Sequence, residues 1–129
     1  MYLLDTNVVI EMLRGNRAVI EKIYSVGIAN CCISEMSIAE LYYGAVKGNK
    51  EKNFEDITKI ERLFRIIPLY DSFREYATIR LQLKVAGTPI DIMDLFIGST
   101  ARHNNCIMVT HNQKHLKHIP NLQLEDWQM

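Results

Sequence analysis

The sequence predicts an α/β fold with a mostly parallel central sheet of four or five strands flanked by helices. Three observations predict it. Short apolar runs alternate with longer segments of helical periodicity along the whole chain. The clearest runs end abruptly in polar residues, at Asp5-Thr6-Asn7, at Ser34 and at Thr110-His111-Asn112, as buried parallel strands do at a sheet edge. No linker-like composition interrupts the pattern, so residues 1–129 read as one domain, long enough to bury a core without staples.

Tyr2 to Leu4 reads as a short buried strand that feeds directly into a helix carrying Val8, Val9, Met12 and Leu13. Gly15-Asn16 stops that helix, and Arg17 to Val26 offers Val19, Ile20, Ile23 and Tyr24 as the apolar face of a second. Ile28 to Ile33 is the second strand. Ser34 to Gly48 is a helix with Met36, Ala39, Tyr43 and Val46 at three-to-four spacing, and Ser37 with Glu40 matches a capping box. Lys50 to Ile67 reads as a strongly amphipathic helix with Phe54, Ile57, Ile60, Leu63 and Phe64 inward; Ile66 to Leu69 can supply a short strand. Asp71 is placed to cap a helix from Ser72 to Ala86 that Gly87 ends. Thr88 to Asp94 opens the next helix, with Asp91 as its N-cap. Gly98 lies in that helix's interior, where glycine costs about 1 kcal/mol relative to alanine, which implies a packing reason. Cys106 to Val109 is another buried strand, Leu122 to Leu124 a half-exposed last one, and Trp127 anchors the tail on the core.

Fifteen basic and fifteen acidic residues cancel, so no global field draws the chain to nucleic acid or to a membrane surface. A nucleic-acid role then needs a local basic patch. Cys31, Cys32 and Cys106 have no Cys-x-x-Cys spacing, which disfavours zinc ribbons and a disulfide framework and makes them reduced core residues. No apolar run approaches the ~20 residues of a membrane span, and Met1 stands too close to the first strand for a signal peptide. The expectation is a cytoplasmic protein.

Three acids stand at comparable places: Asp5 at the end of the first strand, Glu40 one turn into the helix after the second, and Asp94 at a helix start with Asp91 three residues before it. A parallel sheet puts such junctions on one edge, where the acids can converge. Capping is the competing reading for Asp5 and for the Ser37–Glu40 pair. Two carboxylates about 4 Å apart repel by roughly 4 kcal/mol at an effective dielectric near 20, so a cluster of three needs a cation or a raised pKa. An all-oxygen set suits Mg²⁺ or Mn²⁺, and the chemistry implied is metal-assisted phosphoryl transfer. Thr6, Ser37 and Thr110 are placed to orient the ligands or a water, and Asn7 stands with them.

Four segments, Leu4-Asp5-Thr6-Asn7, Glu40-Leu41-Tyr42-Tyr43-Gly44, Asp94 to Ala101 and Val109-Thr110-His111-Asn112, together with the ending Ile119 to Trp127, resemble the PIN-domain nucleases. Within them, the chain is similar to the VapC-type toxins of toxin–antitoxin pairs, over essentially its whole length and in the right order. The resemblance implies a PIN-like three-layer fold and a Mg²⁺- or Mn²⁺-dependent endoribonuclease that cuts cellular RNA, such as tRNA or rRNA, and so inhibits translation. It implies Asp5, Glu40 and Asp94 as the metal-binding and catalytic set. It also implies a homodimer and a small VapB-type antitoxin lying along a hydrophobic groove. Asn112 falls where many PIN domains carry a fourth acid, which weakens a second-metal site.

His111, His115 and His118 would share one helix face and could then bind zinc, but Lys114 and Lys117 interleave with them and favour a solvated basic face. Its functional version is a phosphate-contacting patch of Lys114 and Lys117, with Arg14 and Arg17 beside the first junction. Tyr42, Tyr43 and Phe64 read as core or dimer-interface residues rather than stacking partners for bases. A phosphoacceptor receiver domain would want paired acids at the first strand and a lysine after the fifth, which this chain supplies poorly. The remaining alternative is a non-catalytic PIN-like module that binds RNA or a protein partner. No Gly-rich loop follows the first strand, so dinucleotide and P-loop chemistry are unsupported.

Overall fold

Successive side chains on a strand point to opposite faces, so Leu3 and Leu4 of the first strand belong to two different apolar cores. The computed structural model describes residues 1–128. In chain order its elements are β1 (Tyr2–Leu4), α1 (Thr6–Leu13), α2 (Arg17–Val26), β2 (Cys31–Ser34), α3 (Glu35–Gly48), α4 (Glu51–Leu63) and β3 (Arg65–Ile67). There follow α5 (Phe73–Val85), α6 (Ile92–His103), β4 (Ile107–Val109), α7 (Gln113–Leu116) and β5 (Leu124–Glu125). The five strands form one sheet in the order β3-β2-β1-β4-β5, and every neighbouring pair is parallel. In register, Leu4 sits beside Ile33 and Val109, which explains why these strands read as unbroken apolar runs: helices cover both faces.

On one face, Val8 and Val9 of α1, Val19 and Ile23 of α2, Ile60 of α4 and the tail residue Trp127 pack on Leu4, Ile33 and Val109. On the other, Ile79 and Leu83 of α5, Leu95 and Ile97 of α6 and Leu116 of α7 pack on Leu3, Cys32 and Met108. This is the three-layer α/β arrangement expected. Gly98 has the packing reason its cost requires, because a Cβ there would stand 2.5 Å from Ile119 Cδ1. All three cysteines are buried and free, with Cys32 Sγ 3.9 Å from Cys106 Sγ. Trp127 is 3% exposed and its ring lies 5.2 Å from that of Tyr2. Among the described residues no helix is long and apolar enough to cross a membrane.

Several boundaries differ from expectation. The second strand begins at Cys31, because Gly27 (φ 94°) turns the chain into a 3-10 turn over Ile28–Asn30. Helix α4 stops at Leu63, and Phe64 is already extended (φ −116°, ψ 148°), so β3 starts at Arg65 and ends at Ile67. Asp71 lies in a 3-10 turn (Tyr70–Ser72) and makes no cap bond to α5; Ser72 Oγ donates to Leu69 O instead. The last strand is Leu124–Glu125 rather than Leu122 to Leu124. In α3, Met36 packs inward, but Tyr43 and Val46 are 71% and 66% exposed, and the helix buries Ser37 and Ala45 in their place.

Candidate active site

Strand β1 ends at Leu4, and Asp5 turns the chain into α1 with extended backbone angles (φ −65°, ψ 158°). Its Oδ1 accepts the Thr6 amide at 2.8 Å, so it is the helix cap. Its Oδ2 accepts a hydrogen bond from Thr110 Oγ1 at 2.8 Å, and its own amide donates to Val109 O, which pins the junction to the end of β4. Capping and site membership are therefore one arrangement rather than rivals. Burial pushes the Asp5 pKa up, while Thr110, the Thr6 amide and the nearby His111 pull it back.

The capping box expected of Ser37 and Glu40 does not form. Ser34 caps α3 by accepting the Met36 amide at 3.0 Å, which places Ser37 inside the helix, fully buried. Thr6 Oγ1 lies 2.8 Å from Ser37 Oγ and 2.5 Å from Glu40 Oε1. A threonine hydroxyl has one proton, and a carboxylate only accepts, so Thr6 donates to Glu40 and accepts from Ser37. This chain of hydroxyls holds Glu40 toward the carboxyl end of β1.

Asp91 caps α6, accepting the Met93 amide at 3.1 Å, as expected. Asp94 is one turn further on and takes no part in the cap. Asn112 Nδ2 donates to Asp94 Oδ2 at 3.0 Å, and Thr110 Oγ1 accepts the Asn112 amide at 2.9 Å. One hydroxyl thus ties Asp5 to the residue that holds Asp94. The Asp94 pKa is pushed up to about 6, first by burial and then by the charges of Asp5, Asp91 and Glu40. The acids feel one another across a shared cleft of about 530 Å³, whose lining includes Asp5, Thr6, Asn7, Glu40, Asp94 and Asn112.

The rest of that lining is Ile10, Ala39, Tyr43 and Met93, and it contains no lysine or arginine. An all-oxygen donor set with no cation to balance it fits a hard divalent ion. Among the described residues no three His, Cys, Asp or Glu side chains are grouped so that they could hold a metal ion as they stand; Asp5, Glu40 and Asp94 line one cleft without forming such a group.

Arg17, Lys114 and Lys117 are exposed and line none of this cleft. Arg14 lies in an adjoining hollow of about 510 Å³ that shares Ile10 and Glu40 with the acid cleft, and Lys52, which the sequence did not single out, lies there too. Helix α7 has only four residues, so the expected histidine face does not exist. His111 Nδ1 instead meets Asp126 Oδ1 at 2.8 Å, with its Nε2 buried and unpartnered. The cleft positions of Ile10, Tyr43 and Met93 were also missed; Tyr43 had a signal in its three-residue spacing from Glu40 and Ile10 in its four-residue spacing from Thr6, whereas Met93, adjacent to Asp94, had none.

This fold and this acid cleft define a PIN-domain protein. Residues 2–122 match the PIN domain family, and the chain belongs to that family. Within the family its relatives are VapC ribonucleases. It is 31% identical to Ribonuclease VapC1 of Haemophilus influenzae (strain R2866), covering 98% of each chain. It is 29% identical to the tRNA(fMet)-specific endonuclease VapC of Shigella flexneri, covering 98% of this chain and 97% of that one. The structure of VapBC2 from Rickettsia felis, bound to a DNA fragment from its promoter, matches with a TM-score of 0.89 at 30% identity over 98% of each chain.

Proposed function

We propose that this chain is a divalent-metal-dependent endoribonuclease and the toxin of a toxin–antitoxin pair, a cytoplasmic single-domain protein with residues 1–129 forming the PIN domain. The observation that carries this reading is the delivery of Asp5, Glu40 and Asp94 to one cleft at the carboxyl edge of the sheet. Asp5, Glu40 and Asp94 would hold Mg²⁺ or Mn²⁺. When bound, the ion supplies charge neutralisation at the scissile phosphate and lowers the pKa of an attacking water.

The protein's own groups do the positioning. Thr6 and Ser37 hold the Glu40 carboxylate, Thr110 fixes Asp5, and Asn112 orients Asp94 through Oδ2, leaving Oδ1 for a ligand. The neutral Asn112 adds no fourth negative charge beside Asp94, whose pKa the charges of Asp5, Asp91 and Glu40 already raise. The names of the relatives support RNA as substrate, and tRNA is the first to test; the VapBC complexes support a small VapB-type antitoxin as partner. The protein acts as a homodimer in this reading.

The test is incubation of total cellular RNA with the purified, antitoxin-free chain, with Mg²⁺ or Mn²⁺ and with EDTA, beside Asp5→Asn. Discrete fragments that require both the metal and Asp5 are the expected result. Intact RNA under every metal condition overturns the nuclease and leaves a module that binds without cutting.

A further inference from the structure

Tyr42 and Tyr43 are adjacent in sequence and have different surroundings. Tyr42 Oη donates to Glu61 Oε1 at 3.2 Å, and its ring lies 6.4 Å from that of Phe54, so it is tied to α4. Tyr43 lies three residues after Glu40, on the same side of α3, and lines the acid cleft while remaining 71% exposed. Its ring contributes little to the core. The same cleft is lined by Met93, next to Asp94, and by Ile10, one turn beyond Thr6.

The cleft therefore combines three acids with apolar side chains and one aromatic ring. No basic side chain lines this cleft, and Arg14 and Lys52 stand in the adjoining hollow, so a nucleotide seated here has no lysine or arginine directly beside it. An aromatic face supplies a means of holding the base that is separate from any contact to the phosphate, because every nucleobase has a π-face that can stack on it. A base can reach such a ring only when it is free of its own helix.

We propose that Tyr43 is the platform on which a nucleobase next to the scissile phosphate stacks, so that the cleft selects RNA with an unpaired base at the cutting position. This inference rests on the nuclease reading above. Tyr43 touches substrate and sets specificity; it does not take part in the bond-breaking step. Met93 and Ile10, which line the same cleft, supply further apolar surface for the base.

The test uses the full chain with Mg²⁺ and two RNAs, one with 2-aminopurine in a single-stranded segment and one with it in a duplex. Fluorescence is recorded on mixing, and cleavage is followed in the same samples, for wild type, Tyr43→Phe, Tyr43→Leu and the control Tyr42→Leu. Tyr43 is exposed, so its variants keep the fold, which circular dichroism melts check. Wild type and Tyr43→Phe are expected to quench the single-stranded probe. Tyr43→Leu is expected to lose the quench and about ten-fold in kcat/KM, mostly through KM. Quenching and cleavage by Tyr43→Leu equal to wild type would overturn the platform while leaving the nuclease standing. Tyr43-dependent quenching without cleavage by wild type would overturn the nuclease and keep the platform. No quenching by wild type overturns the platform outright, and Tyr43 is then a protein-contact residue.

Discussion

Helices α1 and α6 both carry an acid to the same cleft, but they begin in opposite ways. At α1 one residue does two jobs: Asp5 caps the helix through Oδ1, bonds Thr110 through Oδ2, and itself lines the cleft. At α6 the jobs are divided, with Asp91 as the cap and Asp94 one turn later in the cleft. The difference follows from the sheet. Asp5 sits directly on the end of a central strand, where a buried carboxylate must be hydrogen-bonded to be tolerated. Asp94 stands one turn into α6, half-buried, and its carboxylate accepts one side-chain hydrogen bond, from Asn112. A carboxylate that is structurally committed and one that is held in reserve should respond differently to the same substitution.

The largest effect tests what the two acids share. Asp5→Asn and Asp94→Asn are each expected to lower RNA cleavage by about 10³-fold or more, since each removes a charge that holds the metal. Equal activity of either variant and wild type would remove that acid from the catalytic set. Stability then separates them. In metal-free buffer Asp5→Ala is expected to cost about 2–3 kcal/mol in urea unfolding, from the lost cap and the stranded Thr110 hydroxyl. Asp94→Ala is expected to be neutral or stabilising, because it relieves repulsion. Equal losses for both would erase the distinction.

A smaller effect follows from the Asp94 pKa of about 6, above its ordinary 3.8. Between those values the native state binds more protons than the unfolded chain, so this group adds stability as pH falls from 7 toward 4. Metal-free Asp94→Asn should therefore be more stable than wild type at pH 7, by about 1 kcal/mol once solvent screening of a half-exposed group is allowed for, and equal to it near pH 4. A difference independent of pH would place the Asp94 charge outside the cluster. The smallest effect is that of Asp91→Ala, expected to cost about 1 kcal/mol through the lost cap alone, measured by the same unfolding.

The strand ends were legible in sequence because each rests on a local signal, an apolar run that ends in a polar residue, and Asp5, Glu40 and Asp94 were singled out because each stands at such an end or near the start of a helix. The details that were not legible depend on partners distant in sequence. The inward face of α3 was misread because its apolar residues occupy two sides, and the side that faces the site contains Ser37, whose partner Thr6 is 31 residues away. The end of α4 was hidden because Phe64, Ile66 and Ile67 continue the apolar pattern of the helix after the backbone has become extended. His111 seemed part of a basic helix face; its actual partner, Asp126, follows the last strand and only the sheet brings the two together. Tyr43 read as a core or dimer-interface residue, and its 71% exposure removes the core alternative, which spacing alone could not do because an exposed aromatic and a buried one have the same spacing.

The central claim is that Asp5, Glu40 and Asp94 form one divalent-ion site. Its most direct test is Mn²⁺ binding followed by electron paramagnetic resonance, with wild type, Asp5→Asn, Glu40→Gln and Asp94→Asn compared at pH 7.5. The account predicts bound Mn²⁺ in wild type that Mg²⁺ displaces, and a clear loss of affinity in each of the three variants. Wild-type Mn²⁺ binding that survives all three substitutions would contradict it.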